Sequence, residues 1–235
     1  MTQGTRLGLL CLILVGLSTP WATSVTAQED ASQATVAQAT PSYRPPLRGA
    51  PASRIGGAHR GAEGDDWTLL VLAPEHTGLT TSEQPVLYWY TSKDIDQPVE
   101  FTLIERGAID PLFERRIPGP LGAGVQRVAL ADLGLSLRPE TDYQWFVSVV
   151  TDPTQRSQDY AAGATIRRVA VDPQVRTRLQ STTAEQRAFV YAEAGLWYDA
   201  IDALSQQVDE APSNETARGQ RRALVEQVGL QMPPD

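Results

Sequence analysis

The stretch that decides the fold is LRPETDYQWFVSVVTDPTQRSQDY, residues 137–160. Within it Tyr143, Trp145, Val147 and Val149 alternate with mostly polar neighbours. This period of two is typical of a β-strand with one buried face. An Asp-Pro pair and several polar residues follow, which is the composition of a tight turn. The stretch therefore predicts a strand, a turn and the start of a returning strand.

Six further segments between residues 66 and 172 show the same period and are separated by turn residues. Seven short strands, each with one apolar face, indicate an antiparallel β-sandwich. Trp89, at the centre of its strand, is expected to fill the sandwich core. The predicted strands are Trp67–Ala73, Val86–Thr91, Val99–Arg106, Leu112–Ile117, Val125–Ala131, Tyr143–Thr151 and one within Tyr160–Val171.

The approach to the central strand, from Leu137 to Val147, resembles the penultimate strand of fibronectin type III and related immunoglobulin-like domains. In those domains a tyrosine hydroxyl bonds back to the preceding corner, and Tyr143 is expected to take that role. The predicted fold is therefore mainly β, an immunoglobulin-like sandwich over residues 66–172. Because this architecture serves many unrelated functions, it does not by itself indicate an activity.

The turn after the strand carries a charged cluster with two interpretations. Asp152, which precedes a proline, is expected to cap the turn by accepting backbone N–H bonds. Arg156 is close enough in sequence to pair with Asp152, and the cluster would then be a structural lock. The alternative is a ligand or metal site on an exposed loop, because loops also carry function.

After residue 172 the sequence changes to helical periodicity. Thr183 and Gln186 match a capping box for a helix over 184–194, a second helix ends before Pro212, and a third spans 215–228. The first two match one tetratricopeptide-like unit over 181–214, with the third as a capping helix. Residues 173–235 are thus predicted to form a helical hairpin and its cap.

A single helical hairpin of this kind cannot bury its own apolar face. It must therefore dock on the sandwich or offer a groove to a partner, and the sequence favours docking, with Trp197 and Tyr198 as the expected contact. Trp197 and Tyr198 are the candidate interface residues, because exposed aromatic surface in a soluble chain marks an interaction site.

The N-terminus has the pattern of a secretory signal peptide over residues 1–27. Arg6 precedes an apolar run at 7–17, which is shorter than the roughly 20 residues of a membrane-spanning helix, and small residues end at Ala27. The sequence predicts export to the periplasm or the cell exterior, with no transmembrane segment in the mature chain. Cys11 is the only cysteine, so the mature chain is expected to have no disulfide and no thiolate metal site.

Residues 28–65 are rich in Ala, Gln, Ser, Pro and Gly and contain almost no large apolar residue. Such a segment buries too little surface to offset the entropy lost on ordering. It is therefore predicted to be a disordered linker. Its RIGGAHRG segment, residues 54–61, resembles a phosphate-binding loop only in its glycines, because no Lys-Ser/Thr follows them.

The charge balance disfavours partners that require a positive surface. Without Arg6 the chain has 19 basic and 28 acidic residues, a net charge near −9, which argues against nucleic acid or an anionic lipid surface.

The sequence contains no G-x-S-x-G, H-E-x-x-H, P-loop or EF-hand motif. We therefore expect no enzyme activity, no cofactor and no metal. Acidic pairs at 65–66, 94/96 and 209–210 could serve a glycosidase or hold calcium, but each also suits a solvated loop or helix end.

Four segments together resemble a known family: RIGGAHRG at 54–61, TDYQWFVSVVTDPTQRSQDY at 141–160, IRRV at 166–169 and GLWYDAIDAL at 195–204. They are similar to the cyanobacterial secreted family called domain of unknown function 928. The resemblance implies an exported protein of a photosynthetic bacterium with no established activity. The chain departs from the family at AAGAT, residues 161–165, where a larger apolar or aromatic residue is usual.

Two classes of function are compatible with these observations. The first is a non-catalytic adaptor of the bacterial envelope that binds an envelope protein or a glycan, and it requires an apolar or aromatic patch. The second is a protein that binds or hydrolyses envelope glycans with paired carboxylates, and hydrolysis requires two acids about 5 to 10 Å apart in a cleft. The sequence favours the first class, because Trp197 supplies aromatic surface and no acid pair stands out.

Overall fold

The computed structural model describes residues 39–46, Arg54 and 67–232. All of these fall in the second of two compact units, Gln38–Asp235. The predicted signal peptide at 1–27 lies outside the described residues, and so does most of the predicted linker at 28–65.

Eight strands in the described part of the chain form two sheets. The three-stranded sheet has the order β1-β3-β6, and the five-stranded sheet has the order β2-β8-β7-β4-β5. All pairs are antiparallel except β2 with β8, so the larger sheet is mixed rather than antiparallel as predicted. The strands are β1 Leu69–Val71, β2 Gly78–Thr80, β3 Val86–Thr91, β4 Val99–Glu105, β5 Phe113–Ile117, β6 Gly124–Ala129, β7 Asp142–Val149 and β8 Tyr160–Arg168.

The strand predicted within residues 137–160, β7, is central in its sheet. β7 pairs with β4 on one side and β8 on the other, and it buries alternate residues as predicted. Trp145 lies opposite Ala164, and a Cβ added at Gly163 would collide with the ring of Phe146. The small residues of the AAGAT segment therefore make room for the large side chains of β7.

Four α-helices follow the sheets, and α1 was not predicted. Its signal is local, because Oδ1 of Asp172 accepts the backbone N–H of Gln174 at 2.7 Å and Pro173 is the first helical residue. Thr183 makes no side-chain capping bond, and α2 begins after a 3₁₀ turn, so the capping-box prediction is wrong. The helices are α1 Pro173–Gln180, α2 Arg187–Glu193, α3 Trp197–Glu210 and α4 Glu215–Glu226.

The helices and the sheets share one hydrophobic core. α3 packs against β2, β3, α2 and α4. Trp89 of β3, Trp145 of β7 and Trp197 of α3 are each at most 1 % exposed and belong to the same cluster. The sheets thus cover the apolar face that a single helical hairpin cannot bury alone.

The β2 strand shows how closely α3 approaches the sheets. Its three residues are too few to give an alternating pattern, and the sequence did not predict it. A Cβ at Gly78 would lie 2.6 Å from Cε2 of Tyr198, so only glycine admits the ring at this distance.

Residues 39–46, which we call the N-terminal arm, pack on the helices. Tyr43 is 8 % exposed, and its ring meets that of Trp197 edge-on with centroids 4.9 Å apart. The backbone N–H of Arg44 donates to the carbonyl of Ala192 at 3.1 Å. The prediction of a disordered linker is wrong for these residues, because one buried aromatic side chain and several hydrogen bonds offset the entropy of ordering.

Candidate functional site

The candidate interface residues lie inside the molecule. Trp197 and Tyr198, at the start of α3, are 0 % and 2 % exposed. Trp197 Nε1 donates to the carbonyl of Leu72 at 2.8 Å. The Tyr198 hydroxyl accepts from Trp145 Nε1 at 2.9 Å and donates to the carbonyl of Thr165 at 3.3 Å. The two residues join α3 to the sheets and present no surface to an external partner.

Two carboxylates of α3 strengthen the same junction. Asp199 accepts from the backbone N–H of Thr81 at 3.0 Å and from its hydroxyl at 2.7 Å. Asp202 accepts from the hydroxyl of Tyr88 at 2.8 Å. Burial raises the pKa of both carboxyl groups above the usual range for aspartate. Their hydrogen bonds hold the end of β2 and the middle of β3 against the helix.

Hydrogen bonds and ion pairs hold the charged turn. Asp152 has the predicted capping role, whereas the partners of Arg156 differ from the prediction. Asp152 caps the turn, because Oδ1 accepts from the backbone N–H of Thr154 at 2.8 Å and from its hydroxyl at 2.7 Å. These bonds hold the pKa of the Asp152 carboxyl below its usual range. The predicted Asp152–Arg156 pair is wrong. A 3₁₀ turn directs Arg156 to Asp159, at 2.6 Å, and to Glu100 of β4, at 2.5 Å.

Glu100 and Asp159 are brought together by this turn, yet their geometry does not suit hydrolysis. Their side chains are 9 % and 7 % exposed, and the guanidinium of Arg156 binds both. That guanidinium occupies the space between the two acids where a scissile glycosidic bond would have to lie. The cluster therefore joins β4 to the start of β8.

A cleft beside this turn is the candidate binding site. We call it the Trp67–Tyr160 cleft, and its cavity volume is about 170 Å³. The rings of Trp67 and Tyr160 are half-buried and meet edge to face, with centroids 4.8 Å apart and an interplanar angle of 75°. The lining residues are Trp67, Lys93, Asp94, Ile95, Gln97, Val149, Thr151 and Tyr160.

Hydrogen bonds from the surrounding strands hold the walls of the cleft. Trp67 Nε1 donates to the hydroxyl of Thr91 at 3.1 Å, and that hydroxyl donates to the carbonyl of Lys93 at 2.8 Å. Oδ1 of Asp94 accepts the backbone N–H of Ala123 at 2.8 Å. The cleft is therefore formed before any ligand binds, which lowers the entropic cost of binding.

The side of the cleft that Thr151 and Tyr160 form continues into the charged turn. The backbone N–H of Thr151 donates to Asp159 at 3.3 Å, and its hydroxyl donates to the carbonyl of Gln158 at 3.1 Å. Tyr160 pairs with Val149 at the first position of β8. The lock around Arg156 thus supports the strand end that carries Tyr160.

The chemistry of the cleft suits a small polar ligand with an apolar face. Aromatic rings with a few polar groups are the usual lining of ligand sites, and Trp and Tyr offer both an apolar body and a polar tip. The volume is below the about 300 to 1,000 Å³ of drug-sized sites, so the cleft admits a single ring. Asp94 is the one carboxylate among the described lining residues, whereas glycoside hydrolysis uses two.

A family model matches residues 55–233, which is most of the chain. Its description is Domain of Unknown Function (DUF928). The chain belongs to the DUF928 family. Every residue that lines the cleft lies in the range that this family model covers, and the N-terminal arm precedes it. No curated protein matches the chain.

Across 39–46, 54 and 67–232, no three or more His, Cys, Asp or Glu residues are grouped so that they could hold a metal ion. No helix in these same ranges has the length and apolar character needed to cross a membrane.

Proposed function

We propose that this protein is a non-catalytic exported module of the bacterial envelope that binds a glycan at the Trp67–Tyr160 cleft. The observation that carries the proposal is the pair of half-buried aromatic rings beside an ammonium, a carboxylate and an amide group, in a cavity of about 170 Å³. The signal-peptide pattern at 1–27 supports export. The resemblance to a cyanobacterial secreted family supports an envelope location in a photosynthetic bacterium.

We also propose that the sheets are fibronectin- or immunoglobulin-like and that α2 and α3 form a tetratricopeptide-like hairpin. The hydroxyl of Tyr143 accepts the backbone N–H of Arg138 at 3.3 Å, which is the bond that a tyrosine corner makes. This bond supports a fibronectin- or immunoglobulin-like origin of the sheets. The succession of α2 and α3 supports a tetratricopeptide-like hairpin. In immunoglobulin-like domains ligands bind at the ends of the sheets, and the Trp67–Tyr160 cleft has that position.

A glycan suits the described surface better than a protein partner does. Trp197 and Tyr198, which would have supplied an aromatic patch, are buried. The large hydrophobic residues that the described surface exposes are Ile109 and Leu112, both in the loop before β5. Two exposed apolar side chains in one loop do not make the large contiguous apolar patch that marks a protein interaction site.

The tryptophans of the predicted mature chain make the proposal testable by fluorescence. Trp89, Trp145 and Trp197 are at most 1 % exposed, whereas Trp67 is half-buried in the cleft. A quencher such as acrylamide should therefore act mainly on Trp67. A disaccharide of N-acetylglucosamine and one of glucose, tested separately, should protect Trp67 from quenching in a saturable manner if the cleft binds that sugar.

Calorimetry with matched variants completes the test. Trp67→Ala should weaken sugar binding at least tenfold, about 1.4 kcal/mol, because it removes one of the two aromatic walls. Phe189→Ala, at a half-buried aromatic position of α2 away from the cleft, should leave binding unchanged. Equal affinity of Trp67→Ala and the unmodified chain would refute the proposed site. Release of reducing ends from the disaccharide would instead indicate hydrolysis.

A further inference from the structure

A second cavity lies where the edge strands of the two sheets, β5 and β6, come together. β5 stands at the end of the five-stranded sheet and β6 at the end of the three-stranded sheet. The cavity has a volume of about 340 Å³, and within the described ranges it shares no lining residue with the Trp67–Tyr160 cleft. We call it the β5–β6 opening, and its defining residues are Phe101, Arg115, Ile117, Val128, Asp132 and Leu133.

The walls of the β5–β6 opening are mainly apolar. Phe101 of β4 and Val128 of β6 are buried. Ile117 of β5 and Leu133, in the 3₁₀ turn after β6, are half-buried and pack against the hydrophobic core. The volume falls within the about 300 to 1,000 Å³ of small-molecule sites. The opening therefore suits the hydrocarbon body of a small ligand.

Arg115 places a positive charge beside these apolar side chains. It lies directly opposite Phe101 in the register of β4 and β5, and residues opposite each other in an antiparallel pair share one face. Phe113 and Ile117, two residues away on the same face, are half-buried, and the ring centroids of Phe113 and Phe101 are 6.5 Å apart. Arg115 thus occupies a position of β5 where the alternation calls for an apolar residue.

The other charges around the opening leave Arg115 available to a ligand. Arg116 and Arg127 bind acids of β4 and α3, with N–O distances of 3.4 and 3.7 Å. The exposed guanidinium of Arg115 makes no hydrogen bond or ion pair with any residue that the structure describes. Asp132 is the one carboxylate among the described lining residues, and it lies exposed on the 3₁₀ turn. The opening therefore offers one guanidinium to an incoming anion.

We propose that the β5–β6 opening binds a free single-chain amphiphile with a carboxylate head, of the fatty-acid type. Its hydrocarbon chain lies against the apolar walls, and its carboxylate pairs with Arg115, whose planar guanidinium matches a carboxylate in two parallel hydrogen bonds. A sugar would leave hydroxyl groups without partners on the same walls. A free amphiphile is favoured over an anionic membrane, because the net negative charge of the chain opposes such a surface.

An inward-facing charge has a second possible role, because it protects an edge strand from pairing with other chains. A negative charge at residue 115 would protect β5 equally well, whereas it would repel a carboxylate. Reversal of the charge at Arg115 therefore separates ligand binding from edge protection.

Isothermal titration calorimetry with sodium decanoate below its micellar concentration tests the site. The mature chain should bind decanoate saturably, and Arg115→Glu should weaken binding by about tenfold or more, because a charge-assisted hydrogen bond is lost. Arg176→Glu, at an exposed position of α1, makes the same change of charge away from the opening and should leave binding unchanged. Equal affinity of these two variants would overturn the proposal, as would the absence of saturable binding to the mature chain.

A ligand of opposite charge controls for a change in folding. Decyltrimethylammonium should bind the Arg115→Glu chain more tightly than the unmodified chain, because the carboxylate of the variant replaces the guanidinium as the partner of the head group. Equal binding to both chains would show that residue 115 does not contact the head and would overturn the proposal. If circular dichroism shows that Arg115→Glu unfolds, Arg115→Gln takes its place in the decanoate titration, with the same expected loss.

The length of the hydrocarbon chain tests the apolar walls. Hexanoate, octanoate and decanoate should bind with rising affinity, by up to about fourfold for each methylene group that the walls bury. Equal affinity along this series would show that the opening binds only the anionic group and would overturn the assignment to an amphiphile.

Vesicles of phosphatidylglycerol distinguish a free amphiphile from a membrane lipid. In co-sedimentation at physiological ionic strength, these vesicles should not retain the unmodified chain. Retention that is lost on Arg115→Glu and kept on Arg176→Glu would assign the opening to an anionic membrane and overturn the assignment to a free amphiphile.

Discussion

Replacing Tyr198 by phenylalanine removes one oxygen atom from the junction between α3 and the sheets. The ring keeps its shape, so the cost lies in hydrogen bonding rather than in packing. The hydroxyl accepts from Trp145 Nε1 at 2.9 Å, and Trp145 is 0 % exposed. The substitution therefore leaves a buried N–H donor without its acceptor.

The expected loss of stability follows from that unpaired donor. A hydrogen bond contributes about 1 kcal/mol net, and a buried donor left unsatisfied costs about 1 to 3 kcal/mol. We expect the free energy of unfolding of Tyr198→Phe to fall by about 2 kcal/mol. For a chain of this size, each kcal/mol lowers Tm by about 2 to 4 °C, so Tm should fall by about 4 to 8 °C.

A double-mutant cycle measured by urea unfolding tests the reasoning. In a Trp145→Phe background the donor is absent, so Tyr198→Phe should cost about 1 kcal/mol or less. Tyr191→Phe, at a half-buried tyrosine of α2, is the control and should change stability by less than about 0.5 kcal/mol. If Tyr198→Phe lowers the free energy of unfolding equally in both backgrounds, the hydrogen bond between Trp145 and Tyr198 does not hold the helices to the sheets.

Two further substitutions test the packing of α3 and the corner of β7. Gly78→Ala should lower the free energy of unfolding by about 1 to 3 kcal/mol, because the new methyl group would lie 2.6 Å from the ring of Tyr198. Gly219→Ala, in α4 with no neighbouring atom within 4 Å, should stabilise by up to about 1 kcal/mol, so calorimetry should show opposite signs. Tyr143→Phe should cost about 1 kcal/mol through the corner hydrogen bond; an unchanged urea midpoint would show that this bond adds nothing to stability.

The strands of six residues or more were predictable from the sequence. β3, β4 and β7 have six to eight residues each, and their predicted bounds agree with the structure to within two residues. β2 has three residues and a parallel partner far away in sequence, so it leaves no local pattern. α1 did leave a local pattern, because Asp172 followed by Pro173 is a helix-start signal.

The candidate sites were much less predictable than the strands. Trp67 and Tyr160 lie more than 90 residues apart in sequence and meet because their strand ends meet. Tyr43 lies in a segment whose composition predicts disorder. Burial of its side chain stabilises the segment enough to offset the entropy of ordering. Arg156 has acidic neighbours on both sides in sequence, and the choice between them depends on a 3₁₀ turn and on Glu100 of a different strand.

The sequence by itself determined the order of the longer strands and of the helices α2 to α4, the buried face of β7 and the family. These properties depend on neighbours two to four residues apart and on local motifs. Only the tertiary structure decided that Trp197 and Tyr198 face the sheets, that Trp67 meets Tyr160 and that the N-terminal arm packs on the helices. The physical reason is that the hydrophobic effect is not directional. An apolar pattern predicts that one face of a helix or strand is buried, and only the packing decides which other element buries it.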